Sequence, residues 1–405
     1  MSFSTALSGL NAATRDLSVT GNNIANAGTT GFKMARTQFA DVYATSALGL
    51  SSTQAGSGVR VAGIQQQFTQ GNIDFTNNAL DLAVNGEGFF TLNASGQTVY
   101  GRAGAFGPDR DGFVTNPQGH RLQVYPPLAN GGFDTGRLSD LQLQVGDSAP
   151  KRSTGIRADI NLPAASGTAL GVAFDPADAS SYAHTTSLTV YDSLGSAHTA
   201  ALYFAPTDTP GQWDVHSVID GAVTGGPTAA TFDADGNLLT PAGGSFTLPP
   251  VPQTNGAADI ALTVDLSGAT QFGDRFNVAA LTQDGYATGR LTGIEVTPEG
   301  IVQARFTNGQ ARALGQVAMA TFANPQGMQE LGDTVWGETF VSGPALRGVA
   351  DSGSFGSIQA GALENSNVDL TAELVHMISA QRAFQANAQM ITTTDQITQT
   401  ALNLR

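Results

Sequence analysis

The C-terminal stretch of this sequence constrains everything before it. From Ser366 to Arg405 there is neither Pro nor Gly, in a chain that holds 49 Gly and 17 Pro. Within it Leu370, Leu374, Met377, Phe384, Ala388, Ile391 and Leu402 follow alternating steps of three and four, with the intervening steps on Gln381, Asp395 and Thr398. That spacing draws one apolar stripe along a long amphipathic helix or coiled-coil strand. Ser366 or Asp369 can cap its start, because each offers a side-chain oxygen to the free N–H groups of a first helical turn. The same spacing recurs at the opposite end, in Phe3, Leu7, Leu10, Thr14, Leu17, Gly21 and Ile24. The ends therefore read as two helices made for each other, with the rest of the chain carried between them. Ser2 or Ser4 can begin the first helix. Asn26, Gly28 and Gly31 end it near residue 26, since Asn and Gly accept the left-handed conformation that closes a helix.

A length of 405 residues exceeds one compact core and predicts two to four domains. The middle of the chain reads as β. Leu82, Val84, Phe89, Phe90 and Leu92 fit short strands broken at Gly86 and Gly88. Pro108 to Gly112 and Asn116 to Gly119 carry turn chemistry. Ile294 to Val302 reads as a further hairpin, followed by a strand over Val317 to Phe322. These pieces predict one β domain split into 71–145 and 283–361. The insert between them, 146–282, has strand patterns of its own at 187–191, 199–204 and 213–218, with turns at Asp192 to Gly195 and Asp233 to Gly236. It predicts an antiparallel β-sandwich or barrel. A split domain suits antiparallel sheets, since closure entropy grows slowly with insert length. Residues 34–70 read as a linker or spacer: Ala44 to Gly58 is rich in Ser, Gly, Ala and Thr, and an alternating pattern resumes at Val59 to Ile64. The terminal helical domain is expected over 1–33 and 362–405. The fold class is mainly β with terminal α-helices, a nested multidomain chain whose coiled-coil termini enclose the split β domain and its outer insert.

Charge narrows the partners. Lys+Arg 18 against Asp+Glu 33 leaves a net charge of −15, which argues against nucleic acid or an anionic membrane. Charged residues make up 13% of the chain, about half the share of roughly 25% usual for soluble domains, and small polar residues and Gly replace them. The chain has no Cys, which points to an exported bacterial protein and excludes cysteine cross-links between copies. The N-terminus shows no basic region followed by an apolar run, so no cleaved signal peptide is expected. No stretch approaches the roughly 18 apolar residues of a membrane span.

Five blocks, in order, carry a family resemblance. Gly21 to Lys33 is the first, with Asn22, Asn23, Asn26, Gly31 and Phe32. The second runs from Gln70 through Leu80 to Phe90, with Gly86, Gly88 and Phe89. The third joins Gly101 to Phe106, Asp111 to Val114 and Gln118 to Leu122. Gly361 to Leu370, with Asn367 and Asp369, and Gln381 to Asn387, with Arg382 and Asn387, complete the set. Together they resemble the bacterial flagellar rod and hook proteins, the axial family of the flagellum, over roughly 1–125 and 280–405. Rod proteins are generally shorter, and a large central insertion is similar to the hook branch. The resemblance implies a structural subunit that polymerises into a hollow, flexible, curved tube, a universal joint that couples rod to filament and transmits torque for motility. It implies terminal helices as the inner tube, the split β domain as a middle layer and the insert outside. The implied partners are other copies of the chain, a hook-capping protein, a distal rod protein, a hook–filament junction protein and the flagellar type III export apparatus. The implied location is extracellular, in the flagellum. A distal rod subunit is the alternative within the family, and a secreted β-rich adhesin or sugar-binding module, resting on the insert alone, the alternative outside it.

The residues offer no competing chemistry. His120, His184, His198, His216 and His376 form no metal-ligand spacing. Asp109 to Gly112 and Asp233 to Asn237 resemble pieces of calcium loops, but neither is followed by the Glu that completes one, and hairpin turns explain both. No catalytic, cofactor or metal site is expected. The stripes carry the functional argument instead. Phe3, Leu7, Leu10, Leu17, Ile24, Leu370, Leu374, Met377, Phe384, Ile391 and Leu402 are the expected assembly interface, because an amphipathic helix is stabilised mainly by covering its apolar face. Gln381, Asp395, Thr398 and Thr14 weaken a dry seam: they lie at its edge, or the seam is adaptable or faces a water-filled channel, and the edge is the reading for Asp395, since a buried unpaired carboxylate is costly.

Overall fold

The computed structural model describes residues 2–42, 56–143, 146–165 and 170–403. Two helices bracket it, α1 (Ser2–Ala25) and α2 (Leu370–Asn403), and between them lie strands and short helical turns. The chain is mainly β with terminal helices. It divides into two compact units: Met1–Val145, Gly293–Arg305 and Ala311–Arg405 in one, Gly146–Thr292 and Phe306–Gln310 in the other.

In the first unit the main sheet orders its strands Leu291–Val296, Ile301–Phe306, Ala311–Thr321, Arg121–Tyr125, Phe89–Ala94, Gln97–Gly101, Val335–Gly337 and Gln329–Gly332. Ala311–Thr321 follows the insert in sequence, yet it sets Val317 opposite Val124 and Met319 opposite Phe90. The two halves of the sequence thus share one antiparallel sheet and one core, in which Leu82, Val84, Phe90, Leu92, Leu122, Val124, Val317 and Met319 are buried. A second, aromatic cluster stacks Phe68, Phe89, Phe322 and Trp336 edge to face.

Three stretches differ from the sequence reading. The expected spacer at 34–70 holds two paired strands, β1 (Ala35–Asp41) and β2 (Val59–Gln66), which pack on α1. The alternation seen at Val59 to Ile64 has its partner in Ala35–Asp41. The Ser/Gly/Ala-rich part over 43–55 lies outside the described residues. The terminal helical segment begins at Leu370 rather than 362: Ala362–Glu364 is a strand paired with Ile73–Phe75, and Ser357–Ala360 pairs with Leu82–Asn85. Asp369, not Ser366, caps α2; its carboxylate accepts from Thr371 N at 2.8 Å and Ala372 N at 3.1 Å. Finally, the insert runs past 282 to Thr292: strand Asn277–Gln283 pairs along Gly155–Pro163, and Tyr286 and Gly289 then bridge back to Lys151 and Ser148.

The second unit is built from two sheets that share one core. One runs His184–Tyr191, Ala197–Pro206, Gln212–Ile219, Thr228–Phe232, Leu238–Thr240, all antiparallel. The other centres on Gly155–Pro163. That sheet is mixed rather than antiparallel throughout: Gly155–Pro163 pairs in parallel with Thr263–Asp265 and Thr270–Phe272 and antiparallel with Asn277–Gln283. Period-two alternation turns Ile156, Ala158, Ile160 and Leu162 inward onto Leu202, Phe204, Trp213 and Val215.

One ion-paired histidine closes this unit's turns. His198 Nδ1 lies 2.6 Å from Asp220 Oδ2, and its Nε2 lies 3.5 Å from Asp192 Oδ2. Asp192 is buried and also accepts from Asn255 Nδ2, Leu194 N and Ser196 N. Burial pulls the His198 imidazole down, but the two carboxylates outweigh it and hold the pKa above the usual value of 6.5. A raised histidine pKa adds stability that is complete below 6.5 and is lost as pH rises through the higher folded value. His184 and His216, whose pKa values burial lowers, act in the opposite sense only below about 6.5, so the melting temperature of the second unit is expected to fall as pH rises above neutrality, and His198→Gln to flatten that slope. Thermal melts followed by Trp213 fluorescence in a Trp336→Phe background measure both.

Candidate functional site

α1 and α2 run antiparallel along each other, with Gly9 against Asn387 and Asp16 Oδ2 at 3.0 Å from His376 Nε2. The inward side of α1 is made of small and polar residues: Ala6, Ala13, Thr20 and Asn23 are buried. A Cβ on Gly9 would stand 2.6 Å from Asn387 Oδ1, so glycine is what lets the helices approach there. On α2, Glu373 and Ala380 are buried and Met377, Phe384, Asn387 and Ile391 are half-buried.

This inward line is offset from the apolar stripe of α1. Positions 6, 9, 13, 16, 20 and 23 face the fold, and the stripe occupies 7, 10, 14, 17, 21 and 24, one residue on. One residue is about 100° of helix. Phe3 and Leu7 are accordingly exposed, at 51% and 42%, while Leu10, Leu17 and Ile24 are half-buried. On α2, Leu370 and Leu374 are about half exposed, as are Val375, Ile378, Met390 and Ile397, which the stripe did not include. Gln381, Asp395, Thr398 and Thr14 are exposed, Thr14 bonding its hydroxyl to Leu10 O. The side chain of Leu402 lies outside the described residues.

The helices are tied to the β domain by a buried charge cluster that sequence reasoning missed. Glu364 Oε1 takes Lys33 Nζ at 2.6 Å and Gly71 N at 2.9 Å, and its Oε2 takes Arg102 NH1 at 3.3 Å. All three side chains are buried, and the Glu364 carbonyl also accepts from Gly31 N at 2.8 Å. Lys33 Nζ donates onward to Thr69 O and Arg102 NH2 to Gly86 O, while the guanidinium lies 5.3 Å from the centre of the Phe89 ring. Burial lowers the pKa of Lys33 and of Arg102, and the Glu364 carboxylate opposes that shift for each. Gly31 passes this point at φ +70, where a Cβ would stand 2.4 Å from Ala103 N.

Other motif residues serve the same junction. Asn23 exchanges two bonds with the Ala35 backbone, at 2.8 and 2.9 Å. Asn367 accepts from Met34 N and donates to Gln67 O and Thr69 Oγ1. Asn22 and Asn26 bond each other in the last turn of α1, and Thr29 bonds Asn26. Phe32 is buried at the helix exit, Gly86 and Gly88 turn the chain at φ +114 and +123, and Phe89 joins the aromatic cluster. Arg382 is exposed on α2.

Two acidic residues that resemble calcium-loop ligands are held by their own turns. Asp109 accepts from Asp111 N and Phe113 N, and Asp233 from Asp235 N and Asn237 N. His184 stacks on Phe276 and His216 on Phe174. Among the described residues no group of three metal-type side chains converges, and no helix is long and apolar enough to cross a membrane.

Removing Glu364 leaves two buried cations unpaired, which costs about 3–5 kcal/mol. Glu364→Ala is expected to lower the denaturation midpoint of the first unit accordingly, and Glu364→Gln by less, because the amide oxygen still accepts. Urea titration of each variant tests this ordering.

Comparison with known proteins places these features. Residues 3–33 match the family described as Flagella basal body rod protein, 83–177 the Flagellar hook protein FlgE/F/G D1 domain, 161–286 the Flagellar basal body protein FlaE D2 domain, and 359–404 the Flagellar basal body rod FlgEFG protein C-terminal. The chain is 40% identical to the flagellar hook protein FlgE of Salmonella typhimurium, over all of both chains, and 39% identical to that of Escherichia coli, again over all of both. It is 33% identical to the hook protein of Borreliella burgdorferi, over all of this chain and 99% of that one. A crystal structure of a Helicobacter pylori flagellar hook protein, 14% identical, shares the fold with a TM-score of 0.54 over 72% of this chain and 100% of that one.

Proposed function

The chain belongs to the flagellar hook protein family, and from that premise we propose how it acts as a structural subunit of the hook: it polymerises through apolar helix faces that its own fold leaves uncovered. The observation that carries this reading is the offset on α1. The small-residue face is used within the chain, and Phe3 and Leu7 are left exposed beside it. On α2, Leu370, Leu374, Val375, Ile378, Met390 and Ile397 are likewise about half exposed or more. Side chains of this size contribute on the order of 1.5–3 kcal/mol each when fully covered. A neighbouring copy that covers both faces gains what the single chain does not.

The expected interface of the sequence reading divides accordingly. Phe3, Leu7, Leu370 and Leu374 serve contacts between copies. Leu10, Leu17, Ile24, Met377, Phe384 and Ile391, half-buried within the chain, serve both kinds of contact. The buried clamp at Glu364 ties the helices to the β sheet of the same unit, so torque on the helices passes through ion pairs and hydrogen bonds rather than through a loop. The capping, distal rod and junction proteins and the type III export apparatus are the further partners of this reading, with the flagellar hook as its location.

Leu7→Ser and Leu374→Ser test the proposal. Each removes an exposed contact of about 1.5 kcal/mol, so each is expected to raise the critical concentration for polymerisation roughly tenfold. The monomer's melting temperature is expected to stay as it is. Sedimentation of assembled protein and electron microscopy measure the first, and calorimetry the second. Normal polymers from both variants would overturn the reading.

A further inference from the structure

The sheet of the first unit also leaves an apolar group uncovered. Strand Val335–Gly337 runs out into a turn over residues 339–342, and the chain returns as strand Leu346–Val349. Within this turn the side chain of Phe340 is fully exposed, and Val341 beside it is two-thirds exposed. Among the described residues no other large apolar side chain is as open to water as Phe340.

The turn is braced on both sides of the ring. Ser342 Oγ accepts from Thr339 N and donates back to Thr339 O, both at 2.9 Å. Thr339 Oγ1 accepts from Val341 N and Ser342 N, both at 3.1 Å, and donates to Gly327 O. The Asn324 side chain donates to Val341 O at 3.2 Å, and Asn324 N donates to Ser342 O at 3.3 Å. Ser342 itself is buried. Hydroxyls that bond neighbouring backbone in this way fix a turn. With Thr339, Val341 and Ser342 pinned, the turn cannot fold the ring back onto its own sheet. A ring held out rigidly has little ordering left to lose when another surface covers it.

Number and charge identify what covers it. Every copy of the chain carries this ring. A protein that caps or joins a polymer meets only the copies at one end, so only another copy is present in equal number. The net charge of −15 makes copies repel one another where their carboxylates face. From Thr339 to Leu346 there is no charged residue, so like-charged copies can touch there. The direction of contact follows from symmetry. Two such turns meeting each other would close a two-fold dimer and stop. A ring that enters a different surface of the next copy leaves that copy's own ring free, and the array continues.

We propose that this turn is an intersubunit plug, and that Phe340 is buried in an apolar recess of a second copy of the chain, with Val341 packed beside it. Aromatic side chains bury about 150–250 Å² each and are frequent anchors of such contacts. This rests on the polymer reading above and adds to it a contact made by the β domain, outside the helices.

The test uses the purified full chain. Phe340→Ser is expected to raise the critical concentration for polymerisation roughly tenfold, because the burial of the ring is lost. Its monomer melt is expected to stay as it is, since the ring covers nothing in the single chain. Phe340→Leu, still apolar, is expected to recover most of the assembly. A second arm keeps an aromatic ring in place: benzoylphenylalanine is put at position 340 and the polymer is irradiated. Cross-links between copies are expected, and peptide mass spectrometry is expected to map them to residues outside 339–346. Normal polymers from Phe340→Ser overturn the plug and leave the polymer reading standing. So do cross-links confined to one chain, and cross-links that join the turn of one copy to the same turn of another. Failure of the unaltered chain to polymerise overturns both.

Discussion

The carboxylate of Glu364 is the point on which the first unit depends. It stands where three distant parts of the chain converge: the exit from α1 at Lys33, the turn after the first sheet strands at Arg102, and the approach to α2. Charges do not enter a protein interior unless they are paired and their remaining hydrogen-bonding groups are used. Here the cations find Thr69 O and Gly86 O beyond the carboxylate, and the backbone of Gly31 and Gly71 contributes two further donors. Arg102 Nε alone is left without a partner. The arrangement holds one geometry, because any shift of the helices relative to the sheet would strip partners from several charges at once.

That constraint explains why the helices can afford a weak seam between themselves. Ala6, Gly9, Ala13 and Thr20 present little apolar area, and small residues serve close approach rather than strong burial. The Asp16–His376 pair and the Asn23 and Asn367 bonds to backbone hold orientation. With orientation fixed by polar contacts, the larger apolar side chains are free to face outward. A helix pair closed by its leucines would have none to offer a neighbour. The second unit has no such need: its two sheets bury a complete core from Ile156 to Ala269, and its turns are satisfied by Asp109-type loops of their own at Asp192 and Asp233.

Local signals in the sequence were sufficient for the helices, the turns and the β character of the middle. A stretch free of Gly and Pro with three-four spacing becomes α2, and the turns at Asp109 to Gly112 and Asp233 to Gly236 close through the carboxylates of Asp109 and Asp233. They were not sufficient for faces and partners. Periodicity reports that a stripe is apolar, not which neighbour covers it, so Leu7 and Ala6, adjacent in sequence, take opposite roles. The strand Ala35–Asp41 carries little alternation by itself, and only its ladder with Val59–Gln66 defines it. The clamp was legible only as membership of the motif blocks: Lys33, Arg102 and Glu364 each fall inside one, but nothing in the sequence pairs them until a fold removes them from water.

What the sequence determined by itself, then, was the set of elements, their order and the kinship of the chain, since these rest on short-range periodicity, turn chemistry and motif blocks. What only the tertiary structure decided was long-range: the shared sheet that joins the halves of the first unit, the extent of the insert to Thr292, the buried carboxylate between two cations, and the face of each helix left uncovered. Those depend on which groups lose water together, and the loss of water is a property of the folded whole rather than of any segment.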